Sequence, residues 1–167
     1  MWGDVMRFLE VKGKEVVYKG NSIGFVDNAL VNFDKKVISS FLIKPSYDKG
    51  VYFIKINDFF IEKEKFFVKR FFKVKNNIYK KAEKFLLTSV LGKSVYENNL
   101  KDIGSVVDVI FDENTGIIKA IIISLGIFDD LVNGRKIHML NKDDVLNSDK
   151  IIVKEDSVEI INEISIV

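Results

Sequence analysis

The chain has 167 residues, no cysteine, one histidine and a net charge of +2. Without cysteine there are no disulfides, thiolate metal sites or cysteine nucleophiles, and 47% hydrophobic residues with 14 phenylalanines argue against overall disorder. No apolar run reaches the roughly 20 residues that span a bilayer, and the start MWGDVMRFLEVKGKEV lacks the regions of a secretory signal, so a soluble, unprocessed, cytoplasmic protein is expected.

Strand signals run through the chain. In the first half, residues 16–18, 23–31, 37–43, 51–56 and 66–72 are rich in β-branched and aromatic residues and are separated by turn formers. Residues 76–84, polar and basic, read as a linker with a short helical turn. In the second half the predicted strands are 94–96, 103–111, 117–124, 137–140 and 150–153. The final segment, 158–167, alternates imperfectly and suits an added strand or a short amphipathic helix.

These two sets of strands are related. Residues 23–44 align without a gap against residues 103–124, an offset of 80 (103 − 23), with Ile-Gly, Val26/Val106, Ile38/Ile118 and Ile43/Ile123 identical. A repeat of this kind predicts two copies of one small β unit. Gly24 and Gly104 sit at equivalent places just inside the long strand, where glycine marks a bend, a bulge or a close backbone approach. Asp112 to Gly116 forms a tight turn with Gly116 supplying positive φ. The first copy has Lys36 there, which predicts another turn type or a more strained one.

The copies differ in charge. Residues 1–84 carry 18 Lys and Arg against 10 Asp and Glu, whereas residues 85–167 carry 8 against 14. Opposite surfaces of this kind favour association of the halves within a chain, or head to tail between chains as a homo-oligomer.

Several residues give the chain a family likeness. Leu91-Gly92-Lys93-Ser94-Val95, then Ile103-Gly104-Ser105-Val106-Val107-Asp108, then Asp112-Glu113-Asn114-Thr115-Gly116 and the apolar strand 117–124 resemble the PRC-barrel family in order and spacing. The first copy is more divergent, with Gly13-Lys14, Ile23-Gly24 and Asn28 in place of Asp108. Neither copy has the proline common in the family's fourth strand. The resemblance implies an all-β fold of two tandem small β-barrels joined by a short linker: a basic, divergent copy over 1–75, a linker over 76–85, an acidic copy over 86–157 and a C-terminal element over 158–167. It marks Gly24, Gly104, Asp108 and Gly116 as structural motif residues. It also implies a non-enzymatic adaptor or scaffold acting through a protein partner. Relatives include the cytoplasmic domain of a photosynthetic reaction centre subunit and a domain of a ribosome maturation factor, so the alternative is an RNA- or ribosome-associated factor in RNA processing or ribosome maturation.

The residues themselves supply little chemistry. His138 has no ligand or catalytic partner at a recognised spacing and reads as structural or surface. The acidic pairs Asp112-Glu113, Asp129-Asp130 and Asp143-Asp144 read as turn residues. No catalytic, cofactor-binding or metal residue is assigned. The longer loop 125–134 of the second copy is a candidate ligand site because insertions on loops carry function. The other candidate is the basic, aromatic stretch 63–84, in which Lys69, Arg70, Lys73, Lys75, Lys80 and Lys81 alternate with phenylalanines. That combination suits nucleic-acid phosphates and stacked bases, or a protein partner.

Overall fold

The computed structural model describes residues 3–154 and 158–161, the side chains of the last four excepted. Its strands in the first half are β1 (Val5–Arg7), β2 (Glu15–Tyr18), β3 (Asn21–Asn32), β4 (Val37–Pro45), β5 (Val51–Lys55), β6 (Phe59–Glu62), β7 (Lys65–Val68) and β8 (Phe72–Val74). The second half contains β9 (Ser94–Glu97), β10 (Asp102–Asp112), β11 (Ile118–Ser124), β12 (Arg135–Met139), β13 (Val145–Leu146), β14 (Ile151–Val153) and β15 (Val158–Ile161). Three short helices, α1 (Phe8–Val11), α2 (Asn76–Ala82) and α3 (Ile127–Asn133), complete the order with 3-10 turns at Glu83–Phe85 and Leu87–Ser89. The expected strand 66–72 divides into β7 and β8, and between them Lys69 N donates to Asp58 O and Arg70 pairs with the Asp58 carboxylate. The expected C-terminal element is a strand over 158–161; the rest of that prediction, 162–167, lies outside the described residues.

Both sheets share one strand path, to which the second adds β1 beside β10. The first runs β6-β7-β2-β3-β4-β5-β8 and the second β13-β14-β9-β10-β11-β12-β15, strand for strand equivalent. The registers repeat as well. β3 pairs β4 with slips between Val26 and Asn28 and between Leu30 and Val31, and β10 pairs β11 with slips between Val106 and Asp108 and between Ile110 and Phe111. These bulges bend the long strands at matched points. Gly24 and Gly104 explain their own identity: a Cβ would lie 2.2 Å from the Lys44 carbonyl oxygen in one copy and 2.3 Å from that of Ser124 in the other.

The hairpin turn after β3 takes the more strained of the two expected forms. It has the geometry of its counterpart, with Asn32 Oδ1 accepting from Lys35 N as Asp112 Oδ1 accepts from Thr115 N. Lys36 takes a φ of 51° where Gly116 has 74°, so a lysine bears the strain of a left-handed position that glycine occupies freely.

The closed barrels expected from the sequence are corrected. Neither sheet closes on itself; each described path ends in strands that the sheet pairs along one edge only. What closes the structure instead is the other copy. Ile38 N donates to Gly116 O and Ile118 N to Lys36 O, both at 2.8 Å, around the bridge between Val37 and Ile117. Phe41 meets Phe111 at 5.7 Å between ring centres, and one buried apolar cluster includes Phe8, Val16, Phe41 and Phe66 from the first half with Leu87, Val95, Ile121 and Ile151 from the second. Strong curvature leaves one apolar face of each sheet open, and pooling the two faces removes both from water.

Each copy also lends its leading helical turn to its neighbour. α1, ahead of β2, packs on β10, while the turn Leu87–Ser89, ahead of β9, packs on β3. Asp108 Oδ1 accepts from Leu9 N at 3.1 Å, and Asn28 Oδ1 accepts from Thr88 N at 3.3 Å. Phe8, Val11, Leu87 and Val90 are fully buried beneath these contacts.

Candidate functional site

The least buried apolar side chains of the described protein lie together on α3. Ile127, Phe128, Leu131 and Val132 are 78–87% exposed, and their i, i+1, i+4, i+5 spacing puts them on one side of the helix. The helix occupies the 125–134 insertion, between Gly126 at φ 119° and Gly134 at φ 75°. Its opposite side is fixed. Asp130 accepts from Ser124 Oγ at 2.6 Å, Arg135 Nε at 3.1 Å and Leu125 N at 3.3 Å, and Asn133 donates to Asp129 at 2.7 Å. Burial alone would raise the Asp130 carboxyl, but the hydrogen bonds from Ser124, Arg135 and Leu125 outweigh it and hold the group below the usual aspartate range. A polar foot thus clamps the helix to β11 and β12 while its apolar side stands in solvent. Water around that side makes its burial by another molecule favourable.

The cations of the basic stretch are exposed, and Arg70 and Lys73 are held in surface ion pairs. Arg70 grips Asp58 through Nε at 3.1 Å and Nη2 at 2.8 Å, and Lys73 pairs with Asp48 at 3.0 Å while lying 5.5 Å from the Tyr52 ring centre. Lys69, Lys75, Lys80 and Lys81 are exposed; the last two sit in the final turn of α2, where the helix dipole favours cations. Among the aromatics, Phe66 is core, packed on Phe41 and Phe59. Phe67 stacks on Phe60 and Phe72 on Phe53. Phe71 bridges Tyr18 at 5.1 Å and Tyr52 at 5.6 Å, and Tyr47 extends the row at 6.0 Å. The rings mostly satisfy one another.

The motif residues lie in close main-chain contacts. Asp108 is buried and accepts from Val109 N, Leu9 N and Arg7 Nε. Its carboxyl is raised by burial, an effect these donors only partly offset. Asn28 does the same work in the first copy, its amide donating to Thr88 Oγ1 at 2.7 Å where the carboxylate accepts from arginine. Gly116 lets the Ile38 carbonyl approach within 2.3 Å of where a Cβ would be.

Two relationships had little or no sequence signal. His138 is fully buried with Nε2 2.7 Å from Asp144 Oδ2, and Asp144 also accepts from Asn141 N and Lys154 N. Two residues six apart on different elements give no periodic pattern. The apolar side of α3 did leave a signal, helical spacing between two glycines, but it is seven residues long. The remaining acidic pairs do not converge: Asp112 caps its own turn through Asn114 N and Thr115 N, and Asp143 pairs with Lys154. Among the described residues no group of three or more His, Cys, Asp or Glu is placed to hold a metal ion, and no described helix is long and apolar enough to cross a membrane.

No curated protein matches the chain. The family model of the PRC-barrel domain matches residues 82–160, from the last residue of α2 through most of β15 and including α3. The matched segment, residues 82–160, with its bulged β10, Gly104, Asp108 and the Gly116 turn, is similar to the PRC-barrel domain family.

Proposed function

We propose that the protein is a non-enzymatic adaptor or scaffold, working in the cytoplasm, that binds a protein partner through α3. The observation that carries this reading is the exposure of Ile127, Phe128, Leu131 and Val132 on a helix whose polar side is locked in place. A preordered apolar anchor of this kind loses little entropy on binding, and aromatic side chains such as Phe128 dominate interface energetics. The family itself points to a protein-interaction or scaffold role. The test is partner capture from the source cell with the native protein, a Phe128→Asp/Leu131→Asp variant and a Lys80→Glu/Lys81→Glu variant. A specific partner lost only with the α3 variant supports the reading, and one retained by that variant defeats it.

The first half, 1–75, reads as a second, diverged copy of the same domain, with 76–85 as the linker. Support comes from the matched strand order, bulges and glycines. The division of charge also leaves room for self-association, which sedimentation at low and high salt would register.

A second reading, an RNA-associated role, rests on the ring row Tyr18–Phe71–Tyr52–Tyr47 beside exposed Lys69, Lys75, Lys80 and Lys81. Single-stranded RNA binding that weakens with salt and disappears on charge reversal at those four lysines supports it. Absence of binding at low salt removes it.

A further inference from the structure

β1 adds to the free side of β10 in the register Val5 with Asp112, Met6 with Phe111 and Arg7 with Ile110, and Glu113 N donates to Asp4 O at 3.0 Å. The internal symmetry carries this position onto residues 30–33, the end of β3 and the residue after it, 80 residues earlier. Pairing begins there in the same way, with Leu86 bridged to Leu30 as Arg7 is paired to Ile110. It then stops. The chain before Leu86 turns away as the 3-10 turn Glu83–Phe85, and among the described residues no main-chain acceptor takes the Phe33 N–H as Asp4 takes that of Glu113.

The departure leaves a groove of about 590 Å³ beside β3, with Leu30, Val31, Phe33 and Phe85 among its apolar walls and Asp34 and Asp149 on its polar side. Its walls come from both copies and from the segment between them.

We infer that this groove takes an extended segment of a partner protein as an added strand, antiparallel to β3, in the place that β1 takes on β10. Unpaired strand edges accept strands because main-chain hydrogen bonds supply affinity while alternate side chains supply selectivity. β1 shows what such a strand needs at the equivalent place: Met6 packs against the shared core, while the place of Arg7 is held in the first copy by Leu86. The walls of the groove are apolar, and its carboxylates Asp34 and Asp149 outnumber Lys84, whose ammonium lies 5.1 Å from the Phe85 ring centre. The occupant therefore carries an apolar side chain for these walls and a basic one for these carboxylates. This site is separate from α3, so either stands without the other.

The test titrates a labelled peptide, GDVMRFLE (residues 3–10), into the full-length protein and follows amide exchange by NMR. Saturable binding with Phe33 and its β3 neighbours protected at least about tenfold supports the assignment. Ala82→Trp and Ser148→Trp, which fill the groove from its rim, are expected to weaken binding at least about tenfold with the melting temperature held within a few degrees. Replacing the peptide's arginine by glutamate should weaken binding further at low salt. Absence of saturable binding, protection confined to residues 110–113 of β10, or full binding by both tryptophan variants would overturn the inference.

Discussion

Val37 and Ile117, equivalent residues of the two copies, face each other in an antiparallel bridge, and the hydrogen bonds beside it repeat at the same 2.8 Å in both directions. The contact has the form of an isologous dimer interface, in which each patch meets its own counterpart, but both patches belong to one chain. Two open sheets with complementary apolar faces thereby share a single core.

The halves should therefore depend on each other. Fragments 1–81 and 82–167, divided at the exposed end of α2, are expected to lack tertiary structure when alone and to fold as a one-to-one complex when mixed. The reason is that Phe8 and Val11 cover the second sheet while Leu87 and Val90 cover the first. NMR dispersion of each fragment and of the mixture checks this, and well-dispersed spectra of both fragments alone would refute it.

Asp108 joins the N-terminal arm to the second sheet. Asp108→Ala removes the acceptor of Val109 N, Leu9 N and Arg7 Nε and is expected to cost about 3 kcal/mol. Asp108→Asn, which copies Asn28, should cost about 1 kcal/mol or less near neutral pH. Because burial raises the folded Asp108 above its unfolded value, its contribution is fully present below the unfolded value and is lost as pH rises through the folded one. The stability advantage of the native protein over Asp108→Asn should thus shrink between acid and neutral pH, as urea titrations across that range would show.

Close backbone approach predicts unequal costs for similar glycine replacements. Gly104→Ala puts a Cβ 2.3 Å from the Ser124 carbonyl oxygen and should cost at least about 2 kcal/mol. Gly92→Ala, at φ 78° with no atom within 4 Å, should cost only about 1 kcal/mol of backbone strain. Chemical denaturation midpoints separate the two.

The buried pair His138 and Asp144 should be asymmetric. Asp144→Ala leaves His138, Asn141 N and Lys154 N without their shared acceptor and is expected to cost about 3 kcal/mol or more. His138→Ile restores the residue type of the equivalent buried Ile54 and leaves Asp144 its two main-chain donors, so it should cost less. Equal destabilisation in thermal melts would contradict this account.

Apolar side chains on α3 should contribute to binding and not to folding. Phe128→Asp with Leu131→Asp is expected to change stability by no more than about 1 kcal/mol, because both side chains are already in water. The same variant should bind less of a dye that reports exposed apolar surface, measured by fluorescence.

Sequence by itself determined the internal similarity, the longer strands that carry it and the special positions. Gly24 and Gly104 recur because only glycine tolerates the carbonyl across the ladder, and Asn28 replaces Asp108 because an amide oxygen accepts the same main-chain hydrogen bonds. The insertion 125–134 was visible as a length difference, and the basic stretch as composition. Short elements such as β1, β6 and β13 were not legible, since three or four residues carry too little periodicity. Tertiary structure alone decided where apolar surface went. It placed Phe66 in a core, paired Arg70 and Lys73 with carboxylates at the surface, buried His138 against Asp144, and left Phe128 in solvent. It also decided that the two copies complete each other and do not close singly. Burial and pairing depend on which distant segments meet, and a local pattern of residue types records only that a face is apolar, not what will cover it.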